Sequence, residues 1–406
     1  MRKRFAFLLT ALAVMTTAKA ASSDNGRNDD DTPQRIVSFV KEEYPAEWYA
    51  RQAEMWRAVT EREPKNEEAW MALYQATRYA IMFTDEHEDY SPLVDIWKAM
   101  RKAVPDSYAD YRLTYCHAQF VGFHDGEPET HPEGMERTMR NMVKAIRMRP
   151  DEVDAYPDYV ACLMKTGEKE LMDDILKRWY ASGTFSASLL NYAYNEMISL
   201  PDDALIFTNG DVDTYSKLIL QGGKGLFAGV KVVCAPMLWS THYREAVCRE
   251  LGIADCGSPA GATQEEYDAW QERAVLYIIS QTGRPAYFGA GAKRQPSFAD
   301  KLYSEGLVSR YSERRYDNIA AKRRNYESRY LTDYLYETFV PETYEASAYR
   351  LNLNYIPCLK SLLDWYKEEG DKERYRELYG MMMTILRRTE NVTWEKRQSY
   401  YDEINR

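Results

Sequence analysis

The chain lacks any apolar run, after its first twenty residues, that approaches the roughly 20 residues a membrane-spanning helix needs. No transmembrane segment is therefore expected. Histidine is scarce, with five (His87, His117, His124, His131, His242) in 406 residues. None stands in an HExxH or comparable zinc spacing, which excludes the commonest zinc-hydrolase pattern. His117, His124 and His131 recur every seven residues, but Gly122, Gly126 and Pro128 break any helix that would align them. No CxxC occurs, so a thioredoxin-like redox site is excluded. Phe288-Gly289-Ala290-Gly291-Ala292-Lys293 is glycine-rich but lacks the GxxxxGK[ST] spacing of a phosphate loop, and reads as a loop after a strand.

Positive charge is also in deficit. The formal net charge is -10, and removal of residues 1–20, which carry Arg2, Lys3, Arg4 and Lys19 but no acid, takes it to -14. Nucleic-acid binding rests on phosphate neutralisation, so nucleic acid is not an expected partner. Those twenty residues have the form of a secretory signal. A basic start is followed by an apolar stretch from Phe5 to Met15 and by Ala18-Lys19-Ala20, the small-x-small pattern of a signal peptidase site. The expected location is periplasmic or secreted, after cleavage near Ala20. No cysteine follows the cut, so a lipid anchor is not expected. In such a compartment Cys116, Cys162, Cys234, Cys248, Cys256 and Cys358 could pair. Cys248 and Cys256, the nearest pair, could staple a helix to a loop, while most of the others fall in apolar patterns that suit buried thiols.

The roughly 385 residues beyond the cut exceed one ordinary core, since domains split at about 250–300 residues. Residues 21–33 are polar and acidic and read as a disordered spacer. Residues 34–199 carry helical periodicity with an internal likeness. Pro64-Lys65-Asn66-Glu67-Glu68-Ala69-Trp70, followed by Leu73, matches Pro150-Asp151-Glu152-Val153-Asp154-Ala155-Tyr156, followed by Tyr159. Each block is a proline closing one helix, an acidic cap, and a helix opening on Ala-aromatic with a large residue three later. That layout resembles tetratricopeptide repeats, helix hairpins of about 34 residues. Trp56 and Val59, and Met142 and Ala145, occupy the packing positions of a preceding second helix, and Thr166-Gly167 the turn between helices. The prolines are 86 residues apart, which predicts an insertion around Gly122 to Gly134.

Residues 200–311 change period. Ala204–Thr208, Val230–Ala235, Arg284–Phe288 and Leu307–Tyr311 read as strands, with helices over Asp213–Gln221, Thr241–Leu251 and Thr263–Gln281. Alternation of this kind predicts a small three-layer α/β domain on a parallel sheet. Residues 312–406 read as helical, with a hairpin turning at Glu369-Gly370-Asp371. Its packing faces are Leu359, Leu362, Leu363, Tyr366 and Tyr375, Leu378, Met382, Leu386. The fold class is thus α plus α/β: helical repeats, a small βαβ domain and a C-terminal helical region.

The first strand runs into Thr208-Asn209-Gly210-Asp211-Val212-Asp213-Thr214 at the sheet edge where α/β proteins hold ligands. Asn209, Asp211, Asp213 and Thr214 are therefore ligand-binding candidates, joined by His242, which follows the second strand. Paired carboxylates suit a divalent cation at Asp211 and Asp213, and the opening amides of a helix suit an anion. No other cofactor is expected. The plainer reading of the same residues is a turn at Asn209-Gly210 and a helix cap at Asp213 or Thr214. Arg314, Arg315, Arg323 and Arg324 belong to a basic-aromatic run, Arg310 to Tyr330, and are partner-binding candidates for an anionic glycan or acidic surface. The 33 tyrosines and 9 tryptophans suit either sugar stacking or repeat packing.

Leu200 to Gln221 resembles the soluble C-terminal region, a domain of unknown function, of protein O-mannosyltransferase-like membrane proteins of Bacteroidetes. There a strand enters Leu-Phe-Thr-Asn-Gly-Asp-Asn-Asp-Thr-Phe-Pro before a helix ending in Leu-Gln. Phe207 to Asp211, Asp213 and Thr214 match, whereas Val212 replaces the second Asn and Tyr215-Ser216 the Phe-Pro. The likeness extends through Val230–Val233, Thr241-His242-Tyr243, Arg284 to Phe288, Glu305-Gly306-Leu307 and Glu369-Gly370-Asp371-Lys372, covering about residues 195–390. The membrane-embedded transferase half has no counterpart in this sequence, so mannosyl transfer is not implied. The expected function is a non-enzymatic accessory or scaffold protein of the bacterial envelope. It would bind an envelope protein, or a glycan, through its helical repeats and α/β module. The alternative is a glycan-directed hydrolase or transferase using Asp211 and Asp213.

Overall fold

A computed structural model describes residues 32–84, 89–120, 132–259, 263–291, 296–389 and 394–406. The signal-like segment, most of the acidic spacer, His87, His124, His131, Ala292, Lys293 and most of the expected insertion lie outside those residues. No described helix is long and apolar enough to cross a membrane. The chain divides into two compact units, one ending at Leu163 and one beginning at Met164.

The first unit is built of helices α1 (Ala46–Arg62), α2 (Glu67–Met82), α3 (Ser91–Ala103), α4 (Tyr108–Phe120), α5 (Pro132–Met148) and the start of α6 (Tyr156–Thr166). Successive helices from α1 to α5 pack on one another, and α2 also meets α4. Trp70, Leu73, Leu93, Ile96, Met100 and Leu113 form their buried core. The two proline blocks are built alike. Trp70 Nε1 donates to the Pro64 carbonyl at 2.9 Å, and Tyr156 OH donates to the Pro150 carbonyl at 2.8 Å. In both, the aromatic six residues past the proline reaches back to satisfy its carbonyl while the preceding alanine (Ala69, Ala155) is fully buried.

The second unit opens with α7 (Lys169–Ala181) and α8 (Ala187–Met197), followed by β1 (Leu205–Thr208), α9 (Asp211–Lys224) and β2 (Lys231–Cys234). Then come α10 (Thr241–Leu251), α11 (Gln264–Thr282), β3 (Ala286–Gly289), β4 (Leu302–Ser304) and β5 (Val308–Tyr311). The strands form one sheet of order β2-β1-β3-β5-β4. β1 pairs in parallel with β2 and β3, and every residue of β1 and β3 is buried. A continuous apolar run such as Leu205-Ile206-Phe207 is what a strand covered on both faces requires.

The expectation of a parallel sheet needs correction beyond these three strands. β5 pairs antiparallel with both β3 and β4. Only Glu305-Gly306-Leu307 separates β4 from β5, far short of the dozen or so residues a parallel crossover takes. The chain therefore turns back as a hairpin, with Glu305 N–H donating to the Val308 carbonyl at 2.8 Å. β5 fills the place between β3 and β4.

Helices cover the sheet. β1 sends the chain to β2 on one side, and β2 sends it back across to β3 on the other. Right-handed crossovers to opposite sides put α9 on one face and α10 with α11 on the other. α7 and α8 both pack on α9. α9 comes very close to α7, for a Cβ on Gly223 would lie 2.6 Å from the Tyr180 Cβ. The C-terminal helices are α12 (Asn318–Ser328), α13 (Glu345–Asn352), α14 (Tyr355–Glu368), α15 (Lys372–Arg388) and α16 (Trp394–Asn405). Their core takes in Tyr192 of α8 and Leu307 beside β5. α14 and α15 form a hairpin through Glu369-Gly370-Asp371, and Asp371 caps α15 by accepting from Arg374 N–H at 3.1 Å.

Asn195 on α8 fastens these helices. Its amide donates to the Leu331 carbonyl at 2.8 Å and to Tyr355 OH at 2.6 Å, and its carbonyl accepts from Leu331 N–H at 2.7 Å. It is fully buried. Asn195→Ala would leave the buried Tyr355 hydroxyl and the Leu331 N–H and carbonyl without it, a lost bond costing about 1–3 kcal/mol where the group is kept from water. The expected loss, after relaxation, is about 3 kcal/mol or more, read as a lower urea midpoint with unchanged slope. A variant within about 0.5 kcal/mol of the parent, the size of an ordinary surface substitution, would contradict this role.

Candidate functional site

β1 and β3 are neighbours whose outgoing chains leave for different parts of the sheet, so their carboxyl ends flank the switch point where α/β sheets hold ligands. Asn209 and Gly210 leave β1 there, and α9 begins at Asp211. Gly210 adopts φ 125°, ψ -161°, a setting essentially restricted to glycine. The turn lets Asp213, in the first turn of α9, swing its carboxylate back so that Oδ2 accepts from Asn209 N–H at 2.9 Å. A carboxylate in this position also faces the positive end of the helix.

The other oxygen of Asp213, Oδ1, is bound by Lys217 of the same helix. Lys217 lies four residues on, the spacing that brings helix side chains together. Its ammonium also donates to the Asp213 carbonyl at 3.0 Å and to Glu196 Oε2 on α8 at 2.5 Å. All three ammonium donors are thus used. Both Glu196 oxygens are used as well, because Oε1 accepts from Ala290 N–H at 3.2 Å, at the end of β3. That N–H is shared with the Leu307 carbonyl at 2.8 Å. Lys217 and Glu196 have no exposed side-chain surface, and Asp213 keeps 12%. Gly289 makes room for this cluster: a Cβ there would stand 2.7 Å from Glu196 Oε1.

The crevice at the switch point is therefore filled by the protein's own charges. One cation is shared between two carboxylates, with each polar atom satisfied. The oxygens Asp213 would offer a divalent cation are engaged by Lys217 and Asn209. Burial pushes the Glu196 carboxyl up to about 7, with Asp213 adding to the rise and Lys217 opposing it. Burial pulls the Lys217 ammonium down, but the Asp213 and Glu196 carboxylates outweigh it and hold it above its ordinary value.

The remaining candidates divide between this turn and other places. Thr214 is buried, with its hydroxyl 2.7 Å from that of Thr208, and it bonds the Cys234 thiol at the end of β2. It ties α9 to two strands. Asp211 opens α9, half-buried, and with burial its charge helps push the Cys234 thiol up to about 12. His242 is half-buried in the first turn of α10, and no hydrogen bond or ion pair joins it to Asp211 or Asp213. Of the basic candidates, Arg323 pairs with Glu327 at 3.1 Å and lies over the Trp365 ring at 4.5 Å. Arg314, Arg315 and Arg324 are exposed. Compared with known proteins, the chain matches no family model and no curated protein.

Sequence reasoning missed Lys217 and Glu196. Lys217 left a signal: a lone base four residues after Asp213, set among Leu218, Ile219 and Leu220 on the buried side of α9. Glu196 left none, since only the tertiary fold brings α8 to the end of β3.

The raised Glu196 carboxyl has a defined consequence for stability. Its folded value, about 7, lies above the ordinary 4.5, so the folded chain holds this proton where the unfolded chain has lost it. Stability from this group is complete below about pH 4.5 and is lost as pH rises through 7. The contribution is about 3 kcal/mol. Glu196→Gln should flatten the decline in unfolding free energy between pH 5 and 8 relative to the parent, as measured by urea titration. Parallel curves for the two proteins would refute the assignment.

Proposed function

We propose that this protein is a periplasmic or secreted accessory or scaffold protein of the bacterial envelope, which binds a protein partner and performs no catalysis. The observation that carries the reading is an exposed apolar stretch in the second unit. Phe339 is 97% exposed and Val340 59%, with Leu331 at 48% and Tyr336 at 43% in the same ten residues. Large apolar side chains gathered on a surface mark interaction sites, and exposed aromatic anchors supply much of the affinity where they bury. The closed Lys217–Asp213–Glu196 cluster supports the same view, because an enzyme working through Asp213 would have to free it from Lys217. The matching Trp70 and Tyr156 contacts support tetratricopeptide-like repeats in the first unit, an architecture whose stacked helices present binding surfaces. The exposed Arg314, Arg315 and Arg324 offer a second contact for an acidic partner or an anionic glycan.

The test is affinity capture from envelope extract with the full mature chain, with each recovered protein then purified and its binding measured. A Phe339→Ala, Val340→Ser double variant should weaken binding of the partner about tenfold or more while its thermal unfolding stays at the parental temperature. Equal binding by variant and parent would remove the apolar stretch as the anchor. Hydrolysis of envelope oligosaccharides that Asp211→Ala abolishes would overturn the non-enzymatic reading.

A further inference from the structure

Cys248 ends on the inner side of the last turn of α10, 2% exposed, and Cys256 lies half-buried in the segment that follows. Between them the helix stops at Gly252, which takes the left-handed conformation, and Ile253 N–H donates back to the Cys248 carbonyl at 3.0 Å. The return brings the two sulfurs and the Asp255 carboxylate within 4.8 Å of one another. Arg244 holds this fold in place. It is 1% exposed, and its Nε and Nη2 donate to the two Asp255 oxygens at 2.6 and 3.2 Å. Nη2 also donates to Ser258 Oγ at 3.0 Å, and Nη1 to the Leu238 carbonyl at 3.2 Å. Trp270 Nε1 of α11 fixes the same segment through the Gly257 carbonyl at 3.2 Å.

Three donors this close could in principle hold a soft cation, but the guanidinium argues otherwise. Both Asp255 oxygens are already neutralised by Arg244, and a fixed positive charge beside the sulfurs repels a metal ion. What remains is two thiols on a braced frame, their sulfurs within 4.8 Å of each other where a disulfide needs about 2.05 Å. We propose that Cys248 and Cys256 form a reversible disulfide that staples the end of α10 to the segment leading to α11.

The chemistry is thiol–disulfide exchange with a small-molecule or protein disulfide as oxidant. The Cys256 thiolate, the more accessible, attacks one sulfur of the oxidant and releases its first thiol. Cys248 then attacks the mixed disulfide and releases the second. Two protons leave the cysteines, and two electrons pass to the oxidant, which departs as two thiols. Burial pushes the Cys256 thiol up to about 11, so the exchange accelerates as the solution is made alkaline.

The test uses the full mature chain, reduced with dithiothreitol, then exposed to oxidised glutathione at pH 8.5 and alkylated. Trypsin cleaves after Arg249 and separates the two cysteines, so the bond appears as one linked pair of peptides that reductant splits. Oxidation should also raise the unfolding temperature by about 5 °C or more, the scale expected for closing so short a loop. Cys256→Ser, at the more exposed position, should lose both the linked peptides and the temperature rise; where that variant folds poorly, peptide mapping of the parent decides alone. Full alkylation of both thiols after oxidation, a link from either to another cysteine, or protection of the pair by Zn²⁺ alone would overturn the proposal.

Discussion

A single buried ammonium holds the second unit together at its centre. Lys217 carries its charge with no exposed side-chain surface, and three elements must converge for it to do so: α9, which bears Asp213; α8, which bears Glu196; and β3, whose end donates to Glu196. Desolvating such ions costs several kcal/mol each, and the cost is offset only when geometry and hydrogen bonding are complete. Here they are complete. Removal of any one partner would leave buried charge uncompensated, so the placement of the first crossover, the helix before it and the loop after β3 are mutually dependent.

Four residues of the Asn209–Thr214 segment each have a physical duty. Gly210 permits the bend, Asn209 offers its N–H to Asp213, Asp213 holds Lys217, and Thr214 ties the helix to β1 and β2. A cluster of polar residues at the end of a parallel strand has the outline of a ligand site when read as sequence. The structure turns Asp213 and Thr214 inward, onto Lys217 and Thr208. A turn does form at Asn209-Gly210, but the helix cap expected at Asp213 or Thr214 does not: α9 starts at Asp211 behind Gly210 with no side-chain cap, both residues lie inside its first turn, and Asp213 reaches back to Asn209 N–H instead.

Local patterns made much of the fold legible and long-range ones did not. The runs around Ile206, Val232, Tyr287 and Ser309 lie in strands because apolar or β-branched stretches bounded by turn residues are a local signal. The edge strand Leu302-Tyr303-Ser304 was not legible: three half-buried residues carry no periodicity, and their pairing depends on where β5 returns. α7 and α8 have the same amphipathic period as the helices before them, so periodicity groups them with residues 34–199. Their apolar faces, including Trp179 and Tyr192, are instead buried in the unit that contains the sheet. Amphipathicity states that a face will be covered, not what covers it. The same limit hid Glu196, which sits in an ordinary helix and acquires its partners only through tertiary packing.

Neighbouring residues on α8 look in two directions. Asn195 binds Leu331 and Tyr355 among the C-terminal helices, while Glu196 binds Lys217 and the end of β3. One turn of helix thus joins the charged centre of the sheet to the core beneath the exposed Leu331–Val340 stretch. Glu196 carries a carboxyl poised near 7, so its proton sets whether the cluster holds a net negative charge or none. Adjacent residues of α8 thus contact the charged cluster on one side and the segment that bears the apolar surface on the other. Residues that have the outline of an active centre in the sequence therefore serve to anchor α8, the helix whose next contact, through Asn195, is with the C-terminal region.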